Sequence, residues 1–251
     1  MQKNLEWIVI VGATGAFGSV MTKRLIDRGY GVVAVARSAD SLKQLAAQHA
    51  NLVPCVADIT QDSAIAAIRA ALPGPVRMVV HGPGVAVGGG VLTIATSALA
   101  DAVNIKVGGM LRLVRAVDTH LQEHSRLVGI GGHYGLEPTA YASAAGVGNA
   151  ALMNVIRQLS LAYGPRGITA HMIAPGPADT ERLRRVAADR ARLNGITVDD
   201  VLDEMKAESS LGQFTEPSQV AWALEMLLAP EATAMTGSTL MLDAGRRRGL
   251  P

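Results

Sequence analysis

Seven short apolar runs recur along the chain, and a segment of helical spacing separates each from the next. The runs are WIVIVG (7–12), GVVAVAR (31–37), LVPCVAD (52–58), VRMVVHG (76–82), RLVGIGG (126–132), ITAHMIAPG (168–176) and STLMLDAG (238–245). They are continuously apolar, not alternating, which is the pattern of strands buried on both faces. Helical patterns fill the intervals at about 16–28, 38–48, 61–71, 97–123, 140–163, 181–209 and 217–229. Strict alternation of this kind predicts an α/β fold: a single doubly wound, Rossmann-type parallel sheet of about seven strands with helices on both faces. No composition break, low-complexity linker or internal repeat divides the 251 residues, so one domain spanning 1–251 is expected.

Apolar residues make up 49% of the chain, ample for a core, and the formal net charge of +2 is too small to imply a nucleic-acid or membrane partner. Cys55 is the only cysteine and lies within an apolar run, so no internal disulfide can form and the thiol is expected to be packed in the core. The first residues run directly into a strand, and no apolar stretch is long enough to span a membrane. A cytoplasmic location is the expectation.

The stretch IVIVGATGAFGSVMTKRL places glycines at Gly12, Gly15 and Gly18, between a strand and a helix. Such a loop turns tightly, lets backbone approach a pyrophosphate, and allows the helix to pack closely on the strand. The free N–H groups at the helix start then favour the phosphates. Gly12, Thr14, Gly15, Phe17 and Gly18 are therefore candidate cofactor residues. At the end of the second run, where a carboxylate would hold a ribose 2′-hydroxyl, the chain has Ala36, Arg37 and Ser38. With no carboxylate to repel a 2′-phosphate and a guanidinium to pair it, NADP(H) is favoured over NAD(H).

With this loop, PTAYASAAG (138–146) and the tail MTGSTLMLDAG in place, the chain resembles the short-chain dehydrogenase/reductase family over essentially its whole length. The resemblance implies roles for further residues. ADIT (57–60) is similar to the adenine-contacting segment, with Asp58 and Ile59. NIKVGGMLRLVRAV is similar to the family's fourth helix, with Asn104 at the active-site asparagine. IAPGPADT (173–180) matches the segment lining the nicotinamide, with Pro175, Gly176 and Thr180. His81-Gly82-Pro83-Gly84 stands where the family has Asn-Asn-Ala-Gly, and Gly82 faces the cofactor. The segment at about 180–210 is similar to the family's substrate lid. Small residues in YASAAGVGNAALMNVI imply helix packing between subunits, hence a homodimer or homotetramer.

The family's chemistry uses a serine, a tyrosine and a lysine. Tyr141 matches the tyrosine, but the lysine position is Ala145 and the usual serine position is Gly132. An unperturbed tyrosine titrates near 10, and a neighbouring ammonium is what favours its phenolate. Without that charge the chain is expected to bind cofactor yet reduce generic ketones slowly. Lys106 is two residues from Asn104 and is expected on a different helix face. His133 and Tyr134 flank the empty serine position, and either can offer a proton or a hydrogen bond. Tyr141, Asn104 and His133 are thus the candidate catalytic residues, and no metal is expected. HLQEH (120–124) fits a zinc-protease spacing but falls at a helix end with no third ligand. Arg182, Arg184, Arg185, Arg190 and Arg192 read as a solvated helix face, with an anionic substrate as the alternative. The leading function is an atypical NADP(H)-dependent oxidoreductase for a small carbonyl or alcohol substrate. The alternatives are a cofactor-binding regulator or scaffold without turnover, and a non-redox lyase or isomerase.

Overall fold

The computed structural model describes residues 5–86 and 89–249. Its centre is one seven-stranded parallel sheet in the order β3-β2-β1-β4-β5-β6-β7. The strands are β1 (Trp7–Val11), β2 (Gly31–Ala36), β3 (Leu52–Val56), β4 (Val76–His81), β5 (Leu121–Ile130), β6 (Thr169–Pro175) and β7 (Thr239–Leu242). Alternate residues of β1 point to opposite faces, as strand geometry requires. Val9 and Val11 join one core with Met110, Leu113, Leu152 and Ile156. Ile8 and Ile10 join the other with Met21, Leu25, Val220 and Leu224. Burial on both faces is why these runs carry no polar alternation.

Helices α1 (Ala16–Asp27), α2 (Ala39–Ala46) and α9 (Pro217–Leu227) supply the second core, and α3 (Ser63–Ala70), α5 (Gly109–Val117) and α6 (Ser143–Tyr163) the first. The strand order reverses between β1 and β4, so a crevice opens beyond their carboxyl ends, the place where open α/β sheets bind ligands. No helix among the described residues is long and apolar enough to cross a membrane.

Three expected helices differ in the structure. The segment 97–123 is α4 (Thr96–Val103), a π-helical turn (Asn104–Gly108), α5, and a short 3₁₀ turn (Asp118–His120). Strand β5 then begins at Leu121, five residues before the expected start. Buried Arg126 explains part of this: it donates to the carbonyls of His124, Leu227 and Ala229 at 2.9, 2.7 and 3.2 Å, capping the end of α9. His120 and His124 of HLQEH therefore lie at a turn and on a strand, not one helical turn apart. The segment 181–209 is two helices, α7 (Glu181–Asn194) and α8 (Val198–Ala207), broken where Gly195 adopts φ 66° and Thr197 with Asp200 forms a capping box. The expected helix from 140 begins only at Ser143, which leaves Tyr141 outside it.

Candidate active site

Two adjoining cavities occupy the crevice. The larger, about 690 Å³, runs from the glycine loop to the ends of β2 and β3. Gly12, Thr14, Gly15, Arg37, Ser38, Asp58, Ile59 and Gly82 all line it. Gly18 lies behind this surface, because a side chain there would overlap the Gly12 carbonyl oxygen and come within 2.7 Å of the Ala13 Cα. A side chain at Gly82 would press to 3.0 Å from the Val11 carbonyl oxygen. The cradle is therefore bare backbone, and the first turn of α1 above it holds no acidic residue. Bare backbone and an unblocked helix start fit a dinucleotide's pyrophosphate.

At the far end, Ser38 caps α2 by accepting from the Ser41 N–H, and Arg37 is exposed beside the cavity. Asp58 accepts from the Thr60 N–H at 3.0 Å and the Thr60 hydroxyl at 2.8 Å. These two hydrogen bonds, backbone first, hold its carboxyl below the ordinary range. It is a fixed, charged acceptor suited to an adenine amine or a ribose hydroxyl.

The second cavity, about 180 Å³, shares Gly84 with the first. Phe17, Pro175, Gly176 and Thr180 line it with Tyr141, His133, Ala145 and Gly132. A β-bridge between Gly89 and Ala142 pins the Tyr141 segment against the loop that follows β4. The Tyr141 hydroxyl lies 2.6 Å from that of Tyr134, with the rings edge to face. Burial, then the hydrogen bond to Tyr141, pushes Tyr134 above the ordinary phenol range, so Tyr134 keeps its proton. Either hydroxyl can donate in this pair. The Arg190 guanidinium sits 5.4 Å over the Tyr141 ring.

His133 is buried, and its pKa falls to about 4, chiefly through desolvation and then the nearby Arg246 charge. At neutral pH it is an uncharged ring, with no proton to give as an acid.

Asn104 is not brought to this pocket. Its amide donates to the Thr60 carbonyl at 3.2 Å and accepts from Arg112 at 2.8 Å. Lys106, two residues on, is brought there instead. Its different helix face is the one that turns toward the cleft, and it lines the cavity at 3% exposure. The stem crosses α6 at Gly148, where a Cβ would already meet its Cγ at 3.4 Å, and Nζ donates to the Ile130 carbonyl at 2.8 Å. Desolvation, and then the charge of Arg182, lowers the amine to about 7. The sequence also gives no prominence to Asn149, which is 4% exposed and stands four residues after Ala145. Its amide nitrogen would lie 3.0 Å from a Cβ at Gly132, and its Oδ1 has no hydrogen-bond partner among the described residues. Both side chains line the cavity with Ala145 and Gly132, and local spacing alone does not reveal this.

The family model described as "Enoyl-(Acyl carrier protein) reductase" matches residues 12–247. A short-chain reductase, NovJ of Streptomyces niveus, is 26% identical over 95% of this chain and 92% of its own. The cis-4-hydroxycyclohexanecarboxylate dehydrogenase of Sinomonas cyclohexanicum is 25% identical, covering 94% of each chain. The structure of L-sorbose reductase from Gluconobacter frateurii, complexed with NADPH and L-sorbose, superposes with a TM-score of 0.89 at 20% identity, covering 98% of both chains. With a family model spanning nearly all of its length and the fold shared throughout, the chain belongs to the short-chain dehydrogenase/reductase family of oxidoreductases.

Proposed function

We propose that the protein is an NADP(H)-dependent reductase of a small carbonyl compound, working with Ala145 and Gly132 where its family usually has lysine and serine. The observation that carries this reading is the junction of the two cavities at Gly84, which sets a dinucleotide cleft beside a pocket holding Tyr141. When bound, NADPH supplies a hydride to the carbonyl carbon. Tyr141 gives its proton to the carbonyl oxygen as the C=O π pair moves there, and Tyr134, donating to Tyr141, steadies the resulting phenolate. The Asn149 amide and the Lys106 ammonium hold the oxygen and its growing charge. Pro175, Gly176 and Thr180 wall the nicotinamide side. The two cavities have the arrangement turnover needs, which favours an enzyme over a regulator or scaffold.

The test is to follow NADPH oxidation and alcohol formation together, with cyclohexanone, ethyl acetoacetate and 4-oxocyclohexanecarboxylate. One alcohol per NADPH consumed is expected. Product formed with the cofactor unchanged would favour the lyase or isomerase reading.

Cofactor choice is a separate expectation. Arg37 lines the cleft, and a guanidinium there would pair a 2′-phosphate by charge-assisted hydrogen bonds, each worth about 1.5–3 kcal/mol. NADPH should bind at least about tenfold more tightly than NADH. Arg37→Asp should reverse the order. Equal affinities in calorimetry of the native protein would rule the preference out.

A further inference from the structure

We propose that the pocket beside the cofactor cleft selects carbonyl compounds carrying a negatively charged group, with Arg182 taking the anion at the mouth and Lys106 facing the carbonyl oxygen at the floor. This rests on the reductase reading and adds a substrate class to it.

The pocket wall contains two cations and no aspartate or glutamate. Of the other arginines of α7, Arg184 pairs with Asp179 at 3.0 Å, Arg192 lies 3.5 Å from Asp189, and Arg190, half-buried over the Tyr141 ring, lies 3.7 Å from Glu204. Arg182 instead reaches across the pocket mouth to donate to the Val85 carbonyl beside Gly84. Among the described residues, neither Arg182 nor Lys106 has a carboxylate within ion-pair distance.

Lys106 is the costlier of the two. A buried ammonium without a counterion is strongly disfavoured, and a methionine would fill the same space at no such cost. The titratable groups facing it are His81 from β4, a neutral ring held at about 3 by burial, and Arg182 from α7, whose charge adds to the penalty. His133 and Tyr134 share the cavity and bring no negative charge at neutral pH. One of the three Nζ donors goes to Ile130, so two remain for a ligand. Phe17, Val85, Leu183, Val186 and Met205 make the remaining wall apolar. An apolar ring or short chain with one anionic group satisfies both features, because its charge offsets the two cations and its body fills the wall.

Calorimetric titration with benzoate and with benzamide tests this without any hydride transfer. The two probes share a ring and differ in charge. Benzoate should bind at least about tenfold more tightly, the equivalent of one charge-assisted hydrogen bond. It should do so both in cofactor-free protein and in protein saturated with NADP⁺. Near pH 7 the binding heat should depend on the ionisation heat of the buffer, because an anion draws a proton onto Lys106, and this dependence should vanish in Lys106→Met. Arg182→Leu should weaken benzoate about tenfold and leave benzamide unchanged, and Arg182→Lys should keep most of the preference. Equal affinity for the two probes overturns the proposal. So does exclusion of benzoate by NADP⁺, since the cations would then serve the cofactor's phosphates. A protein that prefers benzoate but never oxidises NADPH would contradict the reductase reading and leave the anion site standing.

Discussion

Gly18→Ala is expected to abolish tight NADPH binding and to lower Tm by several degrees. The added methyl group would overlap the Gly12 carbonyl oxygen and approach the Ala13 Cα to 2.7 Å. Both obstacles are backbone, so no side-chain rotation can relieve them. Helix α1 must move off β1, and the cradle for the pyrophosphate opens with it. Overpacking of this kind costs about 1–3 kcal/mol or more, and in a chain of this size each kcal/mol shifts Tm by about 2–4 °C. NADPH affinity should fall by about 10²-fold, because phosphate contacts need a close backbone approach. Thermal scans and calorimetry on the purified variant check both effects. An unchanged Tm with an unchanged Kd would mean that the loop is not built as described.

Acid should unfold the protein well before its carboxylates are protonated. His81 and His171 are fully buried and His133 nearly so. Desolvation is the largest cause of depression in each. Their pKa values are about 3, 4 and 4, against 6.5 for the unfolded chain. A depressed value means that the unfolded state binds the proton more readily. The stabilisation is therefore complete above pH 6.5 and is lost as pH falls toward 4. Each unit of separation is worth about 1.4 kcal/mol. All three act in the same direction against the roughly 5–15 kcal/mol that holds a typical domain folded. Calorimetric scans from pH 7 to pH 4 should show Tm falling steadily below 6.5, and His171→Gln should reduce the slope. A flat Tm down to pH 4.5 would show that these rings are reached by water.

The sheet and the cofactor cleft were legible in the sequence because their signals are local. A strand buried on both faces shows as a continuous apolar run, and a phosphate loop shows as glycines between strand and helix. Arg37 likewise follows its strand directly. The break between α7 and α8 is also written there, as Gly195 after Asn194 with Thr197 three residues before Asp200, two caps inside the single helix expected at 181–209.

The pocket was less legible because its geometry is set by tertiary contacts. Tyr141 falls inside the helix expected at about 140–163. The Gly89–Ala142 bridge instead holds it ahead of the helix start. Asn104 was expected in the pocket and Lys106 outside it. The π-helical turn that carries both presents them the other way round, with Asn104 tied to Thr60 and Arg112 and Lys106 lying over Gly148. Irregular turns of this type often mark functional positions. Ala145→Lys would bring a second ammonium beside Lys106, and Gly132→Ser would crowd the Asn149 amide.

Tyr141→Phe tests the account's central claim most directly, read as kcat for carbonyl reduction beside the Kd for NADPH. The change removes one hydroxyl and leaves the ring against Tyr134 and beneath Arg190. If Tyr141 delivers the proton, kcat should fall by about 10²–10⁴-fold, the usual contribution of acid–base help. The Kd should change by less than about threefold, since the glycine loop, Arg37 and Asp58 line the other cavity, across Gly84 from Tyr141. A variant that turns over at the native rate with the same Kd would contradict the assignment of this pocket as the place where the carbonyl is reduced.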